Sequence, residues 1–110
     1  MPKKPFPPDV AALIVDRAAL CCEAMIVESG CTFKAQHIHH RKMRSQGGGH
    51  TPSNCVLICY RCHDWIHKHP AISYERGFLV RGHKDETAQV FTYRLRPVLL
   101  DERGGIQTLF

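Results

Sequence analysis

The 110-residue sequence predicts a small α+β protein whose core runs strand, long loop, strand, helix, with a cysteine-bound zinc beside it. Three observations carry that expectation. AQHIHH ending at His40 and NCVLIC at 54–59 are short runs of strand character, the second apolar and β-branched. CHDWIHKH, 62–69, reads as a helix stopped by Pro70. Cys59-x-x-Cys62 has the knuckle spacing that lets two thiolates grip one tetrahedral zinc, at about 2.3 Å each.

The elements follow in order. MPKKPFPP, 1–8, is Pro- and Lys-rich and reads as an irregular arm. Pro8 or Asp9 opens a helix that Val10, Leu13, Ile14, Arg17 and Leu20 continue at helical spacing. CCEAMIVESGCTF, 21–33, is a loop or irregular hairpin bounded by cysteines. The first strand covers about residues 36–40, and RKMRSQGGGHTPS, 41–53, is a polar, glycine-bearing loop too long for a tight hairpin. A turn around Tyr60 and Arg61 leads from the second strand into the helix. In the tail, AISYERGFLV suggests a short helix or turn feeding a strand, VFTYRLRPVLL alternates as a strand, and DERGG marks a turn. The expected organisation is one domain over 1–110: a core of about 20–70, the arm 1–8, and an extension 71–110 that packs on the core and carries nothing catalytic.

Composition excludes several classes. No apolar run approaches the eighteen residues of a membrane span. The two N-terminal lysines lack a following apolar region, so no secretory signal is expected. Six cysteines without a signal favour metal ligation in a reducing compartment over disulfides, which points to the cytoplasm. The net charge of +5 is concentrated: Lys34, Arg41, Lys42, Arg44, Arg61 and Lys68 face only Asp64 between residues 34 and 68, and the rest sums to zero. A basic surface around a metal site suits a polyanion, DNA or RNA.

The closed zinc site needs two ligands besides Cys59 and Cys62. Cys22 and Cys31 are the best placed, on a loop able to fold back over the second strand. Cys21 competes with Cys22 but sits closer to the apolar face of the preceding helix. Cys55 reads as a small buried hydrophobe. His63 follows Cys62 directly, so a two-Cys, two-His finger has no room for its helix, and the histidines are free for other work. His63 and His67 lie on one helix face, i to i+4, and can share a metal. His39 is placed to be the third ligand, while its neighbour His40 points to the opposite side of the strand. Three histidines leave open positions for water or a phosphate oxygen, which is a catalytic rather than a structural arrangement.

His39-His40, the glycines 47–49, Asn54, then Cys59-x-x-Cys62-His63 and His67 resemble the HNH endonucleases of ββα-metal fold, over about residues 20–70. HHRKMRSQGG and NCVLICYRCHDWIHKHP look most like small stand-alone phage and actinobacterial members, and many family members carry Asp where this chain has His39. The resemblance implies a metal-dependent DNA endonuclease of low sequence specificity. It assigns His40 as general base, Asn54 as the residue that fixes loop and base, and His39, His63 and His67 as ligands of a catalytic Mg²⁺, Mn²⁺, Ni²⁺ or Zn²⁺. Arg41 and Arg44 then become phosphate clamps, with Lys42 a weaker contact. It also suggests genome processing or packaging beside a phage terminase. A zinc-stabilised nucleic-acid-binding module without cleavage is the alternative. His37 shares a strand face with His39 and could substitute for it as a ligand or line the groove; His50, His69 and His83 read as surface residues.

Overall fold

A computed structural model describes residues 6–109, so most of the expected N-terminal arm, residues 1–5, lies outside the described residues. The first helix, α1, runs Pro8–Ala18 with proline in its first turn, where a missing N–H costs nothing. It buries Ile14 and Ala18. Leu20, expected to continue its apolar face, is instead 74% exposed, because Ala19 and Leu20 both take left-handed conformations that turn the chain off the helix axis. Residues 21–36 cross the core irregularly, with one 3-10 turn at Val27–Ser29.

Strands β1 (His37–His40) and β2 (Cys55–Ile58) pair antiparallel, with His39 opposite Val56 and His40 opposite Cys55. Helix α2 (Tyr60–Lys68) follows at once. Tyr60 and Arg61, expected in a turn, are its first residues, because Cys59 caps the helix by accepting the Cys62 amide on its sulfur. Pro70 ends α2 as expected from its missing donor, yet it also opens a six-residue helix, α3 (Pro70–Glu75). Residues 78 and 79 follow as a bend rather than the strand expected there, both amides donating to the Ser73 carbonyl.

The alternating run 90–100 is a hairpin of β3 (Phe91–Tyr93) and β4 (Arg96–Leu100), and β4 also pairs with β5 (Ile106–Thr108). The hairpin turns at Arg94 and Leu95, both at positive φ, a conformation that costs non-glycine residues about 1 kcal/mol or more each. Arg94 offsets that cost: its guanidinium donates to the carbonyls of Ala18 (2.6 Å), Cys21 (3.1 Å) and Cys22 (3.2 Å), tying the hairpin to the end of α1.

One apolar core joins the two sheets. Ile26, Val56, Ile58 and Ile66 from the first half meet Phe78, Phe91, Val98 and Leu100 from the second. Each fully buried side chain of this size stabilises the fold by about 1.5–3 kcal/mol. At the edge of this core, Arg17 and Glu23 form a buried pair with N–O distances of 2.6 and 3.1 Å. Glu23 also accepts the Leu57 amide, and Arg17 donates to the Pro52 and Cys55 carbonyls, so neither charge lacks partners. The ββα unit is thereby tied to α1, to which Tyr93 of the three-stranded sheet also donates through its hydroxyl, at the Arg17 carbonyl.

Candidate metal centres and cleft

Cys22, Cys31, Cys59 and Cys62 come together, their sulfurs all within 4.8 Å of one another. The turn after α1 buries Cys22 and leaves Cys21 exposed, in a bridge to Lys34. Each of the four sulfurs accepts a backbone amide: Met25 to Cys22, Phe33 to Cys31, Cys62 to Cys59, and Ile26 to Cys62, at 3.3–3.4 Å. The Ser29 hydroxyl adds a fifth contact, 3.2 Å from Cys62. Amides aimed at sulfur favour thiolates, the form that binds metal. The hydrogen bond between Cys62 and Cys22 draws Cys22 down to about 5 and pushes Cys62 up, while burial pushes Cys31 up to about 11. Four crowded thiols therefore do not ionise together unaided, and a divalent cation is what fits this donor set. The residues suit a closed four-thiolate zinc.

On the opposite side of α2, His39, His63 and His67 also place their nitrogens within 4.8 Å of one another. Strand β1 turns His39 inward until it is 2% exposed. Its Nε2 lies 2.7 Å from the Phe78 carbonyl oxygen. A carbonyl only accepts, so Nε2 carries the proton and the Nδ1 lone pair is left for a metal. Burial, with His63, His67 and His40 nearby, holds the His39 pKa down to about 3, so the ring is neutral at ordinary pH. Burial likewise lowers His63, with His67 and His37 adding to it. His37 stands outside this trio, its Nδ1 3.1 Å from Nδ1 of His63.

His40 points to the other face of β1. Its Nε2 lies 3.0 Å from Nδ1 of His50, and burial, then His50 and Arg44, lower its pKa. His50 is thus not the free surface residue that the sequence suggested. The glycine-bearing loop returns it to β1, and Phe6 packs on it with ring centroids 4.6 Å apart. A cleft of about 250 Å³, lined by Ile38, His39, His40, Met43, Arg44, His63 and His67, brings His40 and the histidine trio to one rim.

Asn54 is buried and clasps both ends of that loop. It accepts the Lys42 amide (2.7 Å) and donates to the Lys42 and Gly49 carbonyls (3.1 Å each). Gly48 passes so close to the Lys42 carbonyl that any Cβ would collide with it.

The three cations expected at phosphate separate. Arg41 is fully buried and donates to the carbonyls of Gly77 (2.9 Å), Ser53 (2.8 Å), Glu86 (3.2 Å) and Gln89 (2.9 Å), with its guanidinium over Phe91. Lys42, 8% exposed, is bound to the Lys84 carbonyl and Glu86. Neither can reach a ligand, so their assignment as phosphate contacts is corrected: both join the loop to the C-terminal half. Arg44 alone is exposed and lines the cleft.

The family model described as HNH endonuclease matches residues 21–69. Residues 21–69 are an HNH domain. No curated protein and no solved structure gives a significant match to the chain. The HNH domain contains the four clustered cysteines, the histidine trio, His40, His50 and Asn54, which supports a metal-dependent nuclease in general. No helix among the described residues is long and apolar enough to cross a membrane. The contributions that sequence reasoning missed come from Phe78, whose main chain carries no chemical signature, and from His50, whose one signal was closing the stretch HIHHRKMRSQGGGH.

Proposed function

We propose that the whole chain is one compact endonuclease that hydrolyses phosphodiester bonds in DNA with little sequence specificity. The observation that carries the reading is the single cleft shared by His40 and the trio His39, His63 and His67. In this reading His40 is the general base. When His40 Nε2–H donates to His50, the Nδ1 lone pair is free to take the proton of the attacking water. His50 is then a positioning residue that holds the ring and its tautomer. His39, His63 and His67 would hold a divalent cation, which supplies stabilisation of charge on the phosphate and the leaving oxygen. Arg44 contributes a cation at the rim, and Asn54 holds the loop on which His50 rides. Cys22, Cys31, Cys59 and Cys62 would bind the structural zinc. A cytoplasmic place of action, and work beside a phage terminase, fit a small nuclease of this type by analogy.

The test is nicking of supercoiled plasmid with Mg²⁺, Mn²⁺, Ni²⁺ or Zn²⁺ by wild type and His40→Ala. Nicking by the wild type and its loss in the variant are expected, with zinc content and fold retained. DNA binding without nicking under every metal would instead identify a zinc-stabilised binding module. Undiminished nicking by His40→Ala would remove His40 from the mechanism.

A further inference from the structure

Cys55, buried on β2 and paired in register with His40, belongs to neither centre described above. Its sulfur and one ring nitrogen each of His40 and His50 nevertheless lie within 4.8 Å of one another. His40 Nε2 and His50 Nδ1 are 3.0 Å apart. In a tetrahedral zinc site with two nitrogens and one sulfur the donors stand about 3.3–3.6 Å apart, so small adjustments bring the three into range. The adjustment falls on the end of the glycine-bearing loop, beyond the point where Asn54 holds Gly49. His50 follows three glycines, and the Cys55 thiol donates to the Gly49 carbonyl at 3.6 Å. Of the three, His40 also lines the cleft.

We propose that His40, His50 and Cys55 form a further metal site, selective for zinc-like cations, whose filling switches the nuclease off. Two imidazoles and a thiolate select borderline and soft metals over Mg²⁺ and Mn²⁺. Binding releases the Cys55 proton to solvent. It also replaces the His40–His50 hydrogen bond with two metal–nitrogen bonds. The metal on Nε2 of His40 places the ring's one proton on Nδ1, the position that must accept a proton from water. The ring is then locked in the tautomer that cannot act as base. This regulatory half depends on His40 being the base, as proposed above; the metal site itself does not.

Binding is read separately from cleavage. Protein with zinc already in the four-cysteine centre is titrated with Co²⁺, and the sulfur-to-cobalt charge-transfer band is followed in the near ultraviolet. The histidine trio contains no sulfur, so a band reports Cys55. The band is expected in wild type and in a His63→Ala, His67→Ala double variant, and is expected to vanish in Cys55→Ala and in His50→Gln. Absence of the band in wild type, or its persistence in Cys55→Ala, overturns the site. In plasmid nicking with Mg²⁺ or Mn²⁺, micromolar Zn²⁺ should slow the wild type at least tenfold and Cys55→Ala by less than twofold, from equal starting rates. Equal inhibition of both proteins overturns the switch. If wild type nicks under no metal, the nuclease reading fails while the cobalt band still decides whether the site exists.

Discussion

Asn54 and Lys42 exchange a pair of hydrogen bonds across the mouth of the long loop: the Asn54 amide accepts from the Lys42 N–H at 2.7 Å and donates to the Lys42 carbonyl at 3.1 Å. The side chain thus imitates a strand neighbour where the β1–β2 ladder ends. Asn54→Ala leaves buried backbone groups without partners and should lower stability by about 2–3 kcal/mol, read by urea unfolding. At temperatures where the variant remains folded, plasmid nicking should fall as well, because the loop that sets His50 against His40 is released. A variant of unchanged stability would show that water replaces the amide without cost.

The two adjacent cysteines should behave oppositely. Cys22→Ser, at the buried member of the amide-cradled thiol cluster, should reduce bound zinc and lower the unfolding midpoint. Cys21→Ser, at the exposed member, should leave both unchanged. Zinc analysis of the purified variants with thermal unfolding decides it. Loss of zinc in Cys21→Ser would mean that the chain reverses the roles of the pair when metal binds.

Arg41 and Arg44 differ by three positions and should fail in different ways. Arg41→Ala leaves four carbonyls without their donor and should cost about 3–5 kcal/mol of stability. Arg44→Ala should change stability by about 0.5 kcal/mol at most, while weakening DNA binding and reducing its salt slope by about one. Urea unfolding and DNA titrations at several salt concentrations test both. An unaltered salt slope in Arg44→Ala would take this side chain off the phosphate.

His39 predicts a pH dependence of stability with a definite sign. Its pKa is about 3 in the folded chain against an ordinary 6.5, so the unfolded chain takes up the proton first as pH falls. Its contribution is therefore complete above about pH 6.5 and is lost on acidification through the window down to about 3, at about 1.4 kcal/mol per pH unit. Urea unfolding of wild type and His39→Gln across that window should show slopes that differ by about one proton. Parallel slopes would show that the ring is protonated without unfolding.

How much of this was legible in the sequence depends on what kind of contact was at stake. Side chains that share an element by periodicity could be read: His63 and His67 from helical spacing, Cys59 and Cys62 from the knuckle, His39 and His40 from strand alternation. Contacts set by how far a chain travels could not. Arg41 and Arg44 look alike in RKMR, and only the path of residues 77–89 decides that Arg41 is enclosed while Arg44 stays exposed. Leu20 continues an apolar helical pattern, yet two left-handed residues carry it to the surface. Cys55 fitted a buried hydrophobe equally well with or without imidazoles nearby, since the loop that brings His50 back has no periodicity to follow.

The hydrogen bond from His39 to the Phe78 carbonyl lies beyond residue 69, where the family pattern stops. Gly77, whose carbonyl receives Arg41, and Val80, whose amide donates to the Arg41 carbonyl at 2.9 Å, lie beyond it too. A fragment cut at the end of the recognisable motif would keep every conspicuous histidine and cysteine yet lose the main-chain atom that sets the His39 tautomer. The segment 77–80 therefore serves twice over, its main chain holding His39 and Arg41 while the side chains of Phe78, Leu79 and Val80 are buried. Gly77 is fixed for a further reason, because a Cβ there would strike the Val90 backbone.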